Sequence, residues 1–592
     1  MTANAPLRIA NASAFYGDRF SAPLEMVKGG PIDVLTGDYL AELTMAILFR
    51  QKLKNPAGGY ASTFVKQMEG VLGHCLDRGI RVVTNAGGLN PRGLAEALEK
   101  LAASLGLRPR IAYLEGDDVT ARLTDLQAQG EPFAHLDRGT PLAQAGVMPF
   151  LANAYLGGFG IKRALELGAD IVVCPRVADA ALVVGPAAWR FGWAPDDWDA
   201  IAGAVAAGHV LECGPQATGG NYAFFEEVPS FERVGYPIAE VRADGSAVIT
   251  KHPGTGGLVS VGTVTAQLLY EIEGQRYFTP DVVARFDALS LTQEGPDRVL
   301  VSGARGEPAP SSAKVALLAQ SGFRNSVTFL VAGLEPEAKA RLVEAELVRA
   351  LGGRERFSSF RTELVRTDRP DPGSNDEAIA RLRVSVSAPD PDRVGRAFSS
   401  EAVALVLASV PGLTLSAPPA DAAPHVVYWP TTLPTRLLDP KIIFEGSSYD
   451  VPRPPENAPE PSSRVSSTGE APTLRRLADG PTLRAPFGRI FGTRSGDKGG
   501  NATLGVWARS PEAFDFLRRY LTVDRLRNLL PDLGALPVER SEFSNLWSLL
   551  FVVRGLLGDG ALSNDRTDPQ AKTLGEYLRA KLIDLPEALL PP

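Results

Sequence analysis

A chain of 592 residues is too long for one ordinary hydrophobic core, and its length predicts roughly three or four packed domains. Hydrophobic residues at 44% and charged residues at 22% are the composition of a soluble globular protein, and a net charge of -7 argues against nucleic acid or an anionic membrane surface as partner. The N-terminus, MTANAPLRIANASAFYGDRF, lacks the basic start, apolar core and cleavage site of a signal peptide, and no later stretch is apolar for long enough to span a bilayer, so a cytoplasmic protein is expected.

The first third repeats one pattern: a short apolar run, a polar or glycine-rich tip, then an amphipathic helix. Residues 31–48, 79–101, 110–126 and 168–186 each follow it. Such βα alternation predicts an α/β domain over 1–235 with a doubly wound, mostly parallel sheet. Residues 236–325 read as a mixed α+β segment, with a hairpin signal at Asp244-Gly245. Over 326–450 the order βαββαβ emerges, from SVTFLVAGL to HVVYWPTTL, which predicts a ferredoxin-like region. Pro, Ser and Glu then dominate 451–480, a composition that predicts a flexible linker. A small α+β domain is expected over 481–592.

In parallel α/β sheets, ligands bind beyond the carboxyl ends of the strands. The tips of the βα units there carry Asp38 with Glu42 one turn on; Thr84, Asn85, Gly87, Gly88 and Asn90; Glu115, Asp117 and Asp118; and Cys174, Arg176 and Asp179. In TNAGGLNPRG the glycines permit close backbone approach, Asn90 can cap a helix and Pro91 suits its first turn, so a structural account competes with a ligand site to which Asn85 would add. Capping is also the first account of Asp38 or Asp179 taken alone. Arg176 three residues before Asp179 strengthens the second, because one loop could present a guanidinium beside a general base. For Glu115, Asp117 and Asp118 a capping or solvated tip is preferred over Mg²⁺. Cys174 reads as a buried thiol rather than a nucleophile. The cysteines, three and so odd in number, are widely spaced, and with five scattered histidines they suggest neither a disulfide framework nor a metal site.

Two further glycine loops stand out. HPGTGGLVSVGT offers Gly254, Thr255, Gly256 and Gly257, with His252 ahead of them, and FGTRSGDKGGNAT offers Arg494, Ser495, Asp497, Lys498 and Asn501. Neither satisfies the GxGxxG dinucleotide fingerprint or the GxxxxGK[ST] phosphate loop, which argues against an oxidoreductase or a P-loop ATPase. What remains is an anion-binding nest with added charge.

Taken together, NASAFYGDR, GGPIDVLTGDYLAELTM, VTNAGGLNP, GADIVVCPRVADAAL, ATGGNY, GTGG and TRSGDKGGNA, in this order, resemble the acyclic terpene utilisation (AtuA) family over nearly the whole chain. The resemblance implies an AtuA-like C-terminal domain and a setting in the breakdown of acyclic terpenoids or branched acids, beside acyl-CoA carboxylases and dehydrogenases as partners. The expectation is an enzyme acting on a coenzyme A thioester by hydration or carbon–carbon lyase chemistry. Asp179 or Asp38 would be the base with Arg176 beside it, backbone N–H groups at Gly87-Gly88 or Gly256-Gly257 the oxyanion stabiliser, and Thr84 and Asn85 the residues that orient substrate. FGTRSGDKGGNAT is expected to fold over the sheet tips or to serve a neighbouring subunit of a homo-oligomer. The alternative is a non-catalytic acyl-CoA-binding or assembly subunit.

Overall fold

Capped helices and short apolar strands build the first half of the chain. In the computed structural model, which describes residues 5–453 and 480–590, the helix Pro91–Ser104 shows how. Asn90 accepts the N–H of Gly93 at 2.9 Å, Pro91 occupies the first turn, and Leu94, Ala95, Leu98 and Ala102 are buried along one face. Each leucine contributes about 2 kcal/mol by leaving water.

The strands are β1 (Leu7–Asn11), β2 (Val34–Gly37), β3 (Arg81–Thr84), β4 (Ile111–Glu115), β5 (Met148–Ala154), β6 (Ile171–Val173), β7 (Pro237–Val241) and β8 (Ala247–Lys251). In the order β1-β2-β3-β6-β4, five of them run parallel. Helices Ala22–Gly29, Ser62–Glu69, Leu72–Arg78 and Pro91–Ser104 cover one face. Helices Phe159–Glu166, Ala181–Phe191 and Trp198–Leu211 pack on the other. The last of these is buried without interruption from Ile201 to Leu211, which its all-round apolar sequence allows.

The boundaries expected at 235 and 325 do not separate sheets. Antiparallel β7 and β8, then Arg298–Ser302 and Ser290–Gly295, extend the sheet beyond β1, and Lys441–Phe444 with Ser447–Asp450 extend it beyond β4, to eleven strands. Later chain therefore returns to cover the two edges that a parallel core leaves unpaired.

A second sheet grows on the 21-residue strand Ser312–Ala332. Its order is Ser359–Val365, Ile379–Ala388, Ser312–Ala332, Leu413–Leu415, all antiparallel, with helices Pro336–Ala350 and Arg396–Ala408 packed on it. The closing strand here is Leu413–Leu415 and not HVVYWPTTL. That segment lies in Ala423–Pro434, which pairs with the first half of the long strand, as does β5. Twenty-one residues give the long strand room for more partners than a compact βαββαβ unit uses.

The Pro/Ser-rich segment expected as a linker lies, but for its first three residues and its last, outside the described residues. After it, Gly492–Lys498, Asn501–Trp507, Ser548–Val553 and Val538–Phe543 form a four-stranded antiparallel sheet in that order. FGTRSGDKGGNAT is thus a β-hairpin and not a loop. Gly499-Gly500 is its two-residue turn, a hairpin signal that the surrounding charges obscured.

Candidate active site

The carboxyl ends of the parallel strands bring Asp38, Thr84, Asn85 and Arg176 together. Asn85 Nδ2 donates to Asp38 Oδ1 at 2.6 Å, while Asn85 Oδ1 accepts the N–H of Tyr39 and Asp38 Oδ1 that of Leu40. Thr84 Oγ1 donates to the carbonyl of Gly37 at 3.0 Å. Thr84 and Asn85 therefore hold the Asp38 tip in shape.

Arg176 is only 4% exposed. Its Nη1 donates to Asp179 Oδ1 at 2.9 Å, and its guanidinium lies over the Tyr155 ring at 4.1 Å. Asp117, expected on an exposed acidic tip, is instead buried behind this loop. It accepts the Arg176 N–H and the Asn153 side chain, and burial lifts its carboxyl to about 7. Asp118 caps Thr120. Among the described residues, no group of three or more His, Cys, Asp or Glu side chains is arranged to hold a metal ion.

The C-terminal hairpin docks on the main domain at Leu269, Tyr270 and Tyr277. A Cβ at Gly496 would stand 2.5 Å from the Tyr270 ring and one at Gly505 would stand 2.6 Å from Leu269, so the two glycines let the hairpin lie directly on the main domain. Arg494 lies over the Tyr270 ring at 4.2 Å and Lys498 over Tyr277 at 5.8 Å. Asn501 Nδ2 donates to Asp137 at 2.9 Å and Glu273 at 3.2 Å, a contact that docks the hairpin. Ser495 Oγ accepts the N–H of Gly575. From the turn ahead of the helix Leu574–Arg579, Lys572 meets Tyr270 OH, Glu271 at 3.1 Å and Asp497 at 3.6 Å.

Charges from both domains act on one another across this contact. Burial pulls Lys498 down, but Tyr277, Glu271, Glu212 and Asp179 outweigh it and hold the ammonium as a firm cation. Burial pushes Glu42 up, yet Lys314, Arg176 and Lys498, helped by the backbone N–H at the start of its helix, keep it below the usual carboxylate range. Burial raises Glu271 to about 8, with Glu212 and Glu42 adding to the rise against Lys498. Asp497 also reaches about 8, through burial and then Glu271 and Glu42. Asp38 and Glu212 are raised by burial and by Asp179. By surface area Glu42, Asp179, Glu212, Glu271, Asp497 and Lys498 are only half-buried, while desolvation leads the causes acting on Glu42, Glu212, Glu271, Asp497 and Lys498. That combination describes side chains lining an internal cleft.

Other expected residues stand apart from this cleft. A Cβ at Gly87 would meet the Cys174 carbonyl oxygen at 2.5 Å and one at Gly88 would meet Leu48 at 2.4 Å, so these glycines serve close packing. The Gly88 N–H is engaged by Asn85 O, and Asn90 is the helix cap. Gly256 and Gly257 donate their N–H groups to the carbonyls of Arg233 and Ser230, which removes them as an oxyanion site. Thr255 bonds back to His252 O, and Gly254 lies on the same turn, whose φ of +76° suits glycine. His252 bonds to the carbonyl of Met26. Burial pushes the Cys174 thiol far up, as for an inert core cysteine.

Sequence reading missed Tyr155, Glu212, Glu271, Lys314, Tyr428 and Lys572. Only Glu42 carried a local signal, as an acid at a helix start. The others sit on a helix end, a turn and long strands without any motif. Glu212 lies 3.2 Å from Nδ1 of His209, a fully buried histidine whose titration burial lowers to about 4.

A family model described as the acyclic terpene utilisation family protein AtuA matches residues 7–444. The chain belongs to this family. A second model, described as the AtuA ferredoxin-like domain, matches residues 486–584 and contains the hairpin. No curated protein and no solved structure matches the chain. In this AtuA-family protein, Asp38, Arg176 and Asp179 fall within the first match and Asp497 and Lys498 within the second, so the cleft is built by both. No helix among the described residues is long and apolar enough to cross a membrane.

Proposed function

We propose that the protein is an enzyme of acyclic terpenoid catabolism that acts on a branched acyl-CoA thioester, by adding water to a double bond or by carbon–carbon lyase chemistry. The observation that carries the reading is the split between neighbouring carboxyls: Glu42 is held ionised while Glu271 and Asp497 keep their protons to about pH 8, all three around the Lys498 ammonium. Groups pushed apart in this way supply a base and an acid at the same pH. In hydration, Glu42 takes a proton from water as its oxygen adds to the β-carbon. Electrons move to the thioester oxygen beside Lys498, and Asp497 or Glu271 returns a proton to the α-carbon. Asp38, Arg176 and Asp179 would fix the cation and anion pattern at the sheet tips.

The test is loss of enoyl absorbance from branched enoyl-CoA thioesters. Glu42→Gln and Lys498→Met should each lower turnover at least a hundredfold with melting temperatures close to wild type. Loss of the rate as pH rises through about 8 should accompany it, because the acid is then spent. Unchanged turnover in both variants would sink the reading. A protein without turnover that is still stabilised by acyl-CoA, by about 2.7 kcal/mol at a hundredfold excess over Kd, would point to the assembly role beside a carboxylase or dehydrogenase.

A further inference from the structure

Tyr155 borders the charged cleft on one side and, on the other, lines a separate pocket of about 460 Å³. Its walls include Leu114, Leu156, Phe159 and Leu438, all buried. The buried acid in the wall, Asp281, is already engaged. Both its oxygens accept the Gly158 N–H, at 3.0 and 2.9 Å, ahead of the helix Phe159–Glu166. Arg436 and Arg453 also line the pocket, and both are exposed side chains, with Arg453 steadied by the carbonyl of Leu438 at 2.9 Å. Protein interiors are close-packed, and a concavity of this size falls in the range that ligands fill. It is about three times the roughly 150 Å³ that accommodates benzene.

We propose that this pocket binds an amphiphile, with an apolar chain of roughly eight to twelve carbons against Leu114, Leu156, Phe159 and Leu438 and an anionic head group on Arg436 and Arg453. The site goes beyond the reaction proposed for the cleft and does not depend on it. A free carboxylate and the phosphates of a coenzyme A thioester share this chemistry. The pair of guanidinium groups favours either over a neutral lipid.

Calorimetric titration of the full chain with butyrate, octanoate, decanoate and decanoyl-CoA tests it. Affinity should rise about fourfold with each added methylene. Arg436→Glu, a surface change expected to leave melting untouched, should weaken decanoate at least tenfold, and Ala309→Phe, which fills the wall, should weaken it as much. If Ala309→Phe fails to fold, Arg436→Glu and the chain-length series still decide. Tighter binding of the thioester than of the acid, lost in Arg436→Glu, would name the phosphates as the head group, and the reverse order would name the carboxylate. Affinity independent of chain length, or decanoate bound equally by wild type and both variants, would overturn the proposal. Because the readout is binding, silence of Glu42→Gln in turnover leaves the result intact.

Discussion

Glu271 illustrates how a single side chain acquires function from its surroundings. An ordinary glutamate titrates near 4.5, but burial and the neighbouring Glu212 and Glu42 carry this one to about 8 in the folded protein. Between those values the folded state keeps a proton that the unfolded chain releases, so the folded state binds more protons and stability falls as pH rises through the window. The difference is absent below about pH 4.5 and complete above about 8. Glu271→Gln removes the penalty. The melting temperature of the variant relative to wild type should therefore climb between pH 5 and pH 8, and an offset that stays constant across that range would rule out the raised titration. Asp497, raised for the same reason, contributes in the same direction. Asp497 stands out in the sequence within its glycine-rich segment, but Glu271 does not, because it sits in the stretch YEIEGQ and acquires its neighbours only from three distant segments.

The hairpin carries the argument at the scale of an element. Its alternation, Gly492 to Trp507, is legible once Gly499-Gly500 is taken as a two-residue turn, but its docking depends on glycines whose partners lie elsewhere. Gly500 is the strictest of them: a Cβ there would stand 2.1 Å from the carbonyl oxygen of Gly558, a backbone atom with little freedom to move. Gly500→Ala should cost about 1–3 kcal/mol and lower affinity for any cleft ligand by shifting Lys498. Gly70, with an ordinary φ of -91° and no atom within 4 Å of its would-be Cβ, is the matching control. Gly70→Ala should change stability by less than about 0.5 kcal/mol in the same denaturant titration. Equal effects at the two positions would show that the contact with Gly558 does not constrain the hairpin.

The whole molecule unites its two family domains through apolar and charged contacts. Trp507, Phe543, Leu546, Leu550 and Val552 of the C-terminal sheet belong to the same buried cluster as the core of the large sheet. Arg554 bridges the surfaces, donating to both oxygens of Glu539 at 2.9 and 2.8 Å, to Asp137 at 3.3 Å and to Glu273. Calorimetry should accordingly show one cooperative transition for the full chain. Arg554→Ala, which removes the cation shared by Asp137, Glu273 and Glu539, should lower stability by about 2 kcal/mol and advance the unfolding of the C-terminal part. Two separate transitions in the wild type would refute the shared core.

Some features follow from local chemistry and could be read without coordinates. The βα units with their parallel strands, the Asn90 cap and the inert Cys174 depend on spacing, capping and apolar runs within a few residues, as does the position of Asp38, Arg176 and Asp179 at strand ends. The order of seven motifs was enough to indicate the family. Tertiary structure alone decided that β7, β8 and the strand Lys441–Phe444 cover the edges of the first sheet, that Gly256 and Gly257 spend their N–H groups on neighbouring carbonyls, and that Lys498 enters the field of Glu212, Glu271 and Asp179. These facts join residues that lie from about twenty to more than three hundred positions apart. Such pairings are set by which edges and charges meet when the core closes, and the pattern of any one segment does not contain them.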